Sequence, residues 1–163
     1  MQDDIAIRLA SDDEVHDVMK LALMAAEENG FLDATAELLL QTVYPSLLGA
    51  QHSNGLCGVI GEPGKLEAFV VLRIGTMYYS PQLCVEEKVV YVHPDFRAAK
   101  GGRARKLCEF SKYVAEKMDL PLLIGICSSN RTAAKVKLYE RIFGPPAGAY
   151  WLYRTQTGGH TVS

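Results

Sequence analysis

The sequence predicts a single α/β domain, and three observations carry that prediction. Strand-like and helix-like segments alternate from about Ile5 to Arg154 with no linker, repeat or low-complexity stretch between them. The string Glu62-Pro63-Gly64-Lys65 separates two apolar runs as a hairpin connection would. A long apolar strand then passes through a turn into Lys100-Gly101-Gly102-Arg103, which opens an amphipathic stretch. At 163 residues the chain suits one domain, spanning 1–163, with enough length to bury a core.

The elements follow in order. Ile5, Ile7 and Leu9 alternate with Ala6 and Arg8 as a first strand. Ser11-Asp12-Asp13-Glu14 reads as a capping box, starting a helix with Val15, Val18, Met19, Ala22 and Ala25 on one face and ending near Asn29-Gly30. A second helix is expected from Thr35 to Leu48 with Leu39, Leu40, Val43 and Leu47 inward. Strands at Leu56 to Gly61 and Leu66 to Ile74 form the hairpin, and a long strand occupies Leu83 to Val92. From Gly102, Ala104, Leu107, Cys108, Ser111, Val114, Ala115 and Met118 recur at three-and-four spacing, marking a helix. Pro121 to Cys127 is a short apolar strand, Arg131 to Phe143 a helix stopped by Gly144-Pro145-Pro146, and Ala149 to Arg154 a last strand. The tail after Thr155 is expected to be flexible.

Composition narrows the function. Hydrophobic content of 48%, charged content of 22% and a net charge of −2 are ordinary globular values, so nucleic acid is an improbable principal partner. No stretch reaches the ~18 apolar residues of a membrane span, and the acidic start lacks the regions of a signal peptide, which predicts a cytoplasmic protein with no membrane partner. Cys57, Cys84, Cys108 and Cys127 are scattered, without CxxC or Cys/His clustering, and read as buried thiols rather than metal ligands.

The turn from Val92 to Arg103 has the layout of an anion cradle. Unpaired N–H groups at a helix start, with the positive end of the helix dipole, hold phosphate without special side chains. Gly101 and Gly102 allow close main-chain approach, and Arg97, Lys100, Arg103 and Arg105 are expected to add positive charge. Neither GxGxxG nor GxxxxGK[ST] is present.

What stands instead is Val92-His93-Pro94-Asp95, Arg97, Lys100, Gly101 and Gly102. This resembles the signature of the GNAT N-acetyltransferase superfamily, in which V-x-P-x-x-R leads to (Gln/Arg)-x-x-Gly-x-(Gly/Ala) and binds the pyrophosphate of acetyl-CoA. Arg97 matches the Gln/Arg and Gly102 the final Gly/Ala. Lys100 stands where the family usually has its first glycine. The order of elements also resembles that family, implying a GNAT-like α/β fold: a mostly antiparallel mixed sheet, splayed between its fourth and fifth strands, with helices on both faces. The loop and the string SSNRTAAKVKLYER further resemble acetyltransferase-like proteins of phages and prophages.

The resemblance implies a site. Its cofactor-binding residues would be the main chains of Val90, Tyr91 and Val92, the loop Arg97, Ala98, Ala99, Lys100, Gly101, Gly102 and Arg103, and Asn130 at the start of the last helix. Tyr139 corresponds to the tyrosine that protonates the departing thiolate in the family, although its interval from Asn130 is longer than usual. Glu86 has the spacing of the base in some family histone acetyltransferases, and Glu87 lies on the opposite face of the same strand; either one of the pair reaches the cleft or both are solvated beside Lys88. His93 reads as a turn residue.

Acetyl-CoA is thus the expected acyl donor, with no metal. The acceptor is expected among small-molecule amines and protein or peptide amines. Glu27, Glu28, Asn29, Phe31, Asp33 and Met77-Tyr78-Tyr79-Ser80 offer acidic and aromatic groups that would suit a cationic amine. A homodimer is a further expectation from the resemblance. Two other readings are a non-catalytic acyl-CoA-binding or partner-docking protein of the same fold, and a factor placing the basic loop on a nucleic-acid backbone, which the net negative charge disfavours.

Overall fold

Residues 5–29, 34–49, 53–97, 101–128, 130–151 and 153 are described by the computed structural model. Its centre is a five-stranded sheet in the order β1-β2-β3-β4-β5. β1 (Arg8–Leu9), β2 (Gly55–Glu62), β3 (Lys65–Thr76) and β4 (Leu83–Val92) pair antiparallel, while β5 (Leu122–Leu123) joins β4 in parallel. Helices α1 (Val15–Asn29) and α2 (Ala36–Leu47) cover one face, α3 (Arg103–Met118) covers the other, and α4 (Thr132–Phe143) packs against α3.

Local signals explain most boundaries. The Glu14 carboxylate accepts the Ser11 N–H at 3.0 Å, the return half of the capping box, and also takes Arg8 at 2.8 and 2.7 Å. Thr35 caps α2 by accepting the Leu38 N–H at 3.2 Å. The β2–β3 hairpin turns at Pro63-Gly64, where Gly64 takes φ +81°.

Each sheet face has its own core. On the α1/α2 side, Val18, Leu21, Ala22, Val43 and Leu47 meet Cys57, Val59, Phe69, Val71 and Tyr91. Opposite them, Leu107, Val114 and Ala115 of α3 meet Ile60, Ala68, Val70, Leu72 and Val85. Phe69 and Leu107 are sealed from solvent, and burying side chains of this size contributes about 1.5–3 kcal/mol each.

Two irregularities in β4 shape the site. Val71 pairs with Val89 but Leu72 pairs with Glu87, so Lys88 is an extra residue, a β-bulge. The bulge switches the faces: Val85 belongs to the α3-side core, whereas Val89 and Tyr91, at the same sequence parity, pack on the α1/α2 side. Secondly, β5 pairs with β4 only at Val85↔Leu122 and Glu86↔Leu123. Beyond that point the strands part.

Several expectations need correction. The first strand shrinks to Arg8–Leu9, with Ile5 and Ile7 packing beneath α3 and Leu9 exposed. Leu40 is exposed rather than inward. Of the strand expected over Pro121 to Cys127, only Leu122–Leu123 is paired, because the chain leaves β4 there. Ala149, Tyr150, Trp151 and Tyr153 are not strand, and the three aromatics are largely exposed; Leu152 and Arg154 lie outside the described residues. Cys57, Cys84 and Cys108 are buried, but Cys127 is exposed.

Candidate functional site

The parting of β4 and β5 opens a cleft of about 1090 Å³. Val89, Val90 and Tyr91 form one wall and Leu123 to Ser128 the other. α1 and α2 roof its further part with Ala22, Ala25, Leu38, Leu39 and Thr42, over a floor that includes Gly55, Arg73, Glu86 and Lys88. Val89 to Tyr91 turn their outer edge to this space because β5 no longer accompanies them.

At one end of β4 the chain reaches the predicted cradle. Gly102 sits at the α3 N-cap with φ +98°, a left-handed conformation that glycine adopts without steric penalty. The helix start has no side-chain cap hydrogen bond and no acidic residue in its first turn. Its leading N–H groups therefore lack the side-chain acceptor that usually serves them. Ala98, Ala99 and Lys100 lie outside the described residues, as do Gly30, Phe31 and Asp33.

The arginines around the cradle are already engaged. Arg97 donates from both outer nitrogens to Glu28 of α1, at 2.8 and 2.7 Å, and from Nε to the Val92 carbonyl at 2.8 Å. Its guanidinium lies 5.0 Å from the Tyr91 ring centroid. Asn130 and the Tyr91 hydroxyl also donate to Glu28, at 3.1 and 2.9 Å. These donors, Arg97 foremost, hold the Glu28 carboxyl down at about 2. Arg103 pairs with Glu67 at 2.6 Å and stacks over Phe96, and Arg105 pairs with Glu109 at 2.8 Å. Thus Arg97 and Asn130 join α1, the post-β4 loop and the start of α4, and each of Arg97, Arg103 and Arg105 is held in an ion pair.

The second cluster lies where β4 and β5 separate. Because of the bulge, Glu87 shares the face of Leu72 and Val85 and points toward α3 and α4. The Tyr139 hydroxyl of α4 stands 3.3 Å from Glu87 Oε1, and Tyr139, Glu87 and Asn130 all line the cleft. Glu87 Oε2 is buried with no hydrogen-bond partner among the described residues. Burial pushes the Glu87 carboxyl up to about 8, against a smaller lowering by Tyr139. Burial likewise raises Tyr139, with the nearby Glu87 adding to it, and pushes the Cys108 thiol of α3 up to about 12.

Glu86 takes the other face, as expected, and pairs with Lys88 at 2.9 Å. Val90 and Tyr91 line the cleft; Val92 does not, and its carbonyl serves Arg97. The Nδ1 of His93 accepts the Asp95 N–H at 3.2 Å, the turn role assigned to it. Sequence reading missed the contact of Cys108 with Tyr139, since nothing local joins α3 to α4, and passed over Arg73, a charge interrupting the apolar β3 run. Among the described residues, no group of His, Cys, Asp or Glu could hold a metal ion, and no helix is long and apolar enough to cross a membrane.

With this geometry in hand, comparison with solved structures defines the class of fold: it is that of the GNAT acetyltransferases. A possible acetyltransferase from Clostridium difficile 630 matches with a TM-score of 0.68 and 19% identity over 95% of this chain and 99% of its own. AAC(6')-Iy, solved in complex with the bisubstrate analog CoA-S-monomethyl-acetylneamine, matches with a TM-score of 0.67 and 16% identity over 93% and 98% of the two chains. The aminoglycoside antibiotic 6'-N-acetyltransferase AAC(6')-Ih from Acinetobacter baumannii matches with a TM-score of 0.65 and 12% identity over 94% and 99%. No protein-family model and no curated protein matches the sequence. At these identities the likeness establishes the fold.

Proposed function

We propose that the protein is an acetyl-CoA-dependent N-acetyltransferase acting by direct attack of an amine within a ternary complex. The observation that carries this reading is the Tyr139–Glu87 pair, set in the cleft where β4 and β5 part. The residues also fit the donor. The uncapped, acid-free start of α3 suits a pyrophosphate, with Gly102 leaving the main chain unshielded. From Val92 back to Glu87, β4 offers an edge of roughly 16 Å at ordinary strand rise, along which an extended amide-bearing arm can lie. When bound, acetyl-CoA supplies a thioester carbonyl open to attack by an amine.

Tyr139 holds a proton for the sulfur that leaves when the new nitrogen–carbon bond forms and the carbon–sulfur bond breaks. Glu87 sets whether that proton is available. Below about pH 8 the Glu87 carboxyl is protonated and can donate to the Tyr139 oxygen, leaving the hydroxyl hydrogen for the cleft. Once Glu87 ionises, Tyr139 donates to it instead. Cys108 of α3, Tyr139 of α4 and neighbouring Glu86 and Lys88 are the titratable groups around Glu87, and the thiol, raised to about 12, stays neutral through this range. In this reading Glu86, on the roofed side of the strand, takes the proton released by the amine.

Thiol release with a broad amine panel tests the reading. Tyr139→Phe should lower kcat roughly 100-fold with acetyl-CoA affinity almost unchanged. Rate should decline as pH rises through about 8 in the wild type, and Glu87→Gln should remove that decline. A wild type that binds acetyl-CoA yet transfers to no amine would overturn the enzymatic reading in favour of a binding protein. A rise through pH 8 that Glu87→Gln abolishes would make Glu87 a base instead.

A further inference from the structure

Beyond Glu87 and Tyr139, the cleft continues under α2, and its floor there carries an unusual arrangement of charge. Arg73 on β3 and Glu86 on β4 are directly paired across the antiparallel ladder. Opposite charges in that register ordinarily meet. Here Glu86 turns instead to Lys88, the bulge residue, at 2.9 Å. Arg73 makes no ion pair among the described residues, although it lines the cleft. This part of the floor therefore holds two cations around one carboxylate. The roof and walls add Ala22, Ala25, Leu38, Leu39 and Tyr78, which carry no charge. Glu28 supplies no free anion, being held by Arg97, Asn130 and Tyr91.

We infer that the acceptor is an amine carrying its own carboxylate, such as an α-amino acid, and that Arg73 binds that carboxylate. The inference rests on the transferase reading above and names its substrate class. The donor arm enters from the α3 start and runs back along β4, so the acceptor must approach the reacting carbon from the Arg73 and Glu86 side. A zwitterionic amine meets that floor in complementary register, ammonium toward Glu86 and carboxylate toward Arg73, whose fork can bind it in two parallel hydrogen bonds. A polycationic aminoglycoside finds like charges instead. The inference thus adds a carboxylate to the cationic amine that the sequence suggested.

The test compares amine pairs differing only in the carboxylate, leucine against isopentylamine and phenylalanine against phenethylamine, with an aminoglycoside as a third arm. KM should be at least about tenfold lower for the carboxylate-bearing member. Arg73→Ala should erase that difference by raising KM for the carboxylate-bearing member alone, and Arg73→Lys should restore part of it. Equal use of both members, or preference for the aminoglycoside, overturns the inference while leaving acetyl transfer intact. If no amine is turned over, titration of N-acetylleucine into the CoA-loaded protein decides. Binding weakened by Arg73→Ala supports the carboxylate site, and absence of binding overturns it.

Discussion

The Glu28 carboxylate and the Arg97 guanidinium meet in two hydrogen bonds of 2.8 and 2.7 Å, tying α1 to the loop that leaves β4. Asn130 adds a third attachment, from the start of α4, at 3.1 Å. One carboxylate thus ties together α1, the post-β4 loop and the start of α4. Its loss leaves a partly buried guanidinium without its partner. Glu28→Ala should therefore lower stability by about 1–2 kcal/mol, read as a shift in the urea midpoint at unchanged slope. It should also weaken acetyl-CoA binding, because the post-β4 loop loses its anchor. Unchanged stability would mean that the pair is idle.

Stability should peak in mildly acidic solution. Glu14 and Glu28 are both held near 2, chiefly by Arg8 and Arg97 respectively. Their contributions are fully present above the ordinary value of 4.5 and are lost as pH falls toward 2. Glu87 acts in the opposite sense: raised to about 8 by burial, it favours the fold while protonated, and that contribution is lost as pH climbs from 4.5 to 8. Urea midpoints across pH should show both limbs, and Glu87→Gln should flatten only the alkaline one. A Glu87→Gln variant that is less stable than wild type at pH 9 would contradict the assigned burial.

Gly102→Ala should cost about 1–2 kcal/mol through backbone strain alone. The added methyl would meet only Ile5 Cδ1, at an ordinary 3.5 Å, so space is not the obstacle; the φ of +98° is. Thermal unfolding of the variant measures this. No loss would place the α3 start in a conformation open to any residue.

Thiol labelling should separate the cysteines sharply. Cys127 is exposed in the cleft wall and should react with a disulfide reagent within the mixing time of a manual assay. Cys57, Cys84 and Cys108 are buried, with burial raising their thiols, and should react only on unfolding. Protection of Cys127 by acetyl-CoA would follow from its place in the wall.

Amphipathic spacing and turn chemistry made the helices, the hairpin and β4 legible, because each is specified by residues close in sequence. The strands expected over Pro121 to Cys127 and Ala149 to Arg154 outrun the pairing seen among the described residues, because apolar runs report burial or strand propensity, whereas strand assignment needs a partner edge, which is a tertiary fact. The bulge at Lys88 was equally invisible: nothing in Glu86-Glu87-Lys88 announces an extra residue, yet it decides which face receives Glu87. Tyr139 and Glu87 were both identifiable as candidates, but their meeting depends on α4 bringing Tyr139 to the middle of β4. Arg97 illustrates the reverse case. Its position matched a phosphate-binding motif, and the sequence held no sign that Glu28, far away on α1, would engage it.

The central claim is that the cleft opening between β4 and β5, together with the α3 start beyond the end of β4, binds an acyl-CoA. Calorimetric titration of acetyl-CoA into the wild type and into the double variant Gly101→Glu, Gly102→Glu tests it most directly. Stoichiometric binding by the wild type, lost in a variant that remains folded, is the predicted result. A folded wild type that binds no acetyl-CoA would contradict the claim.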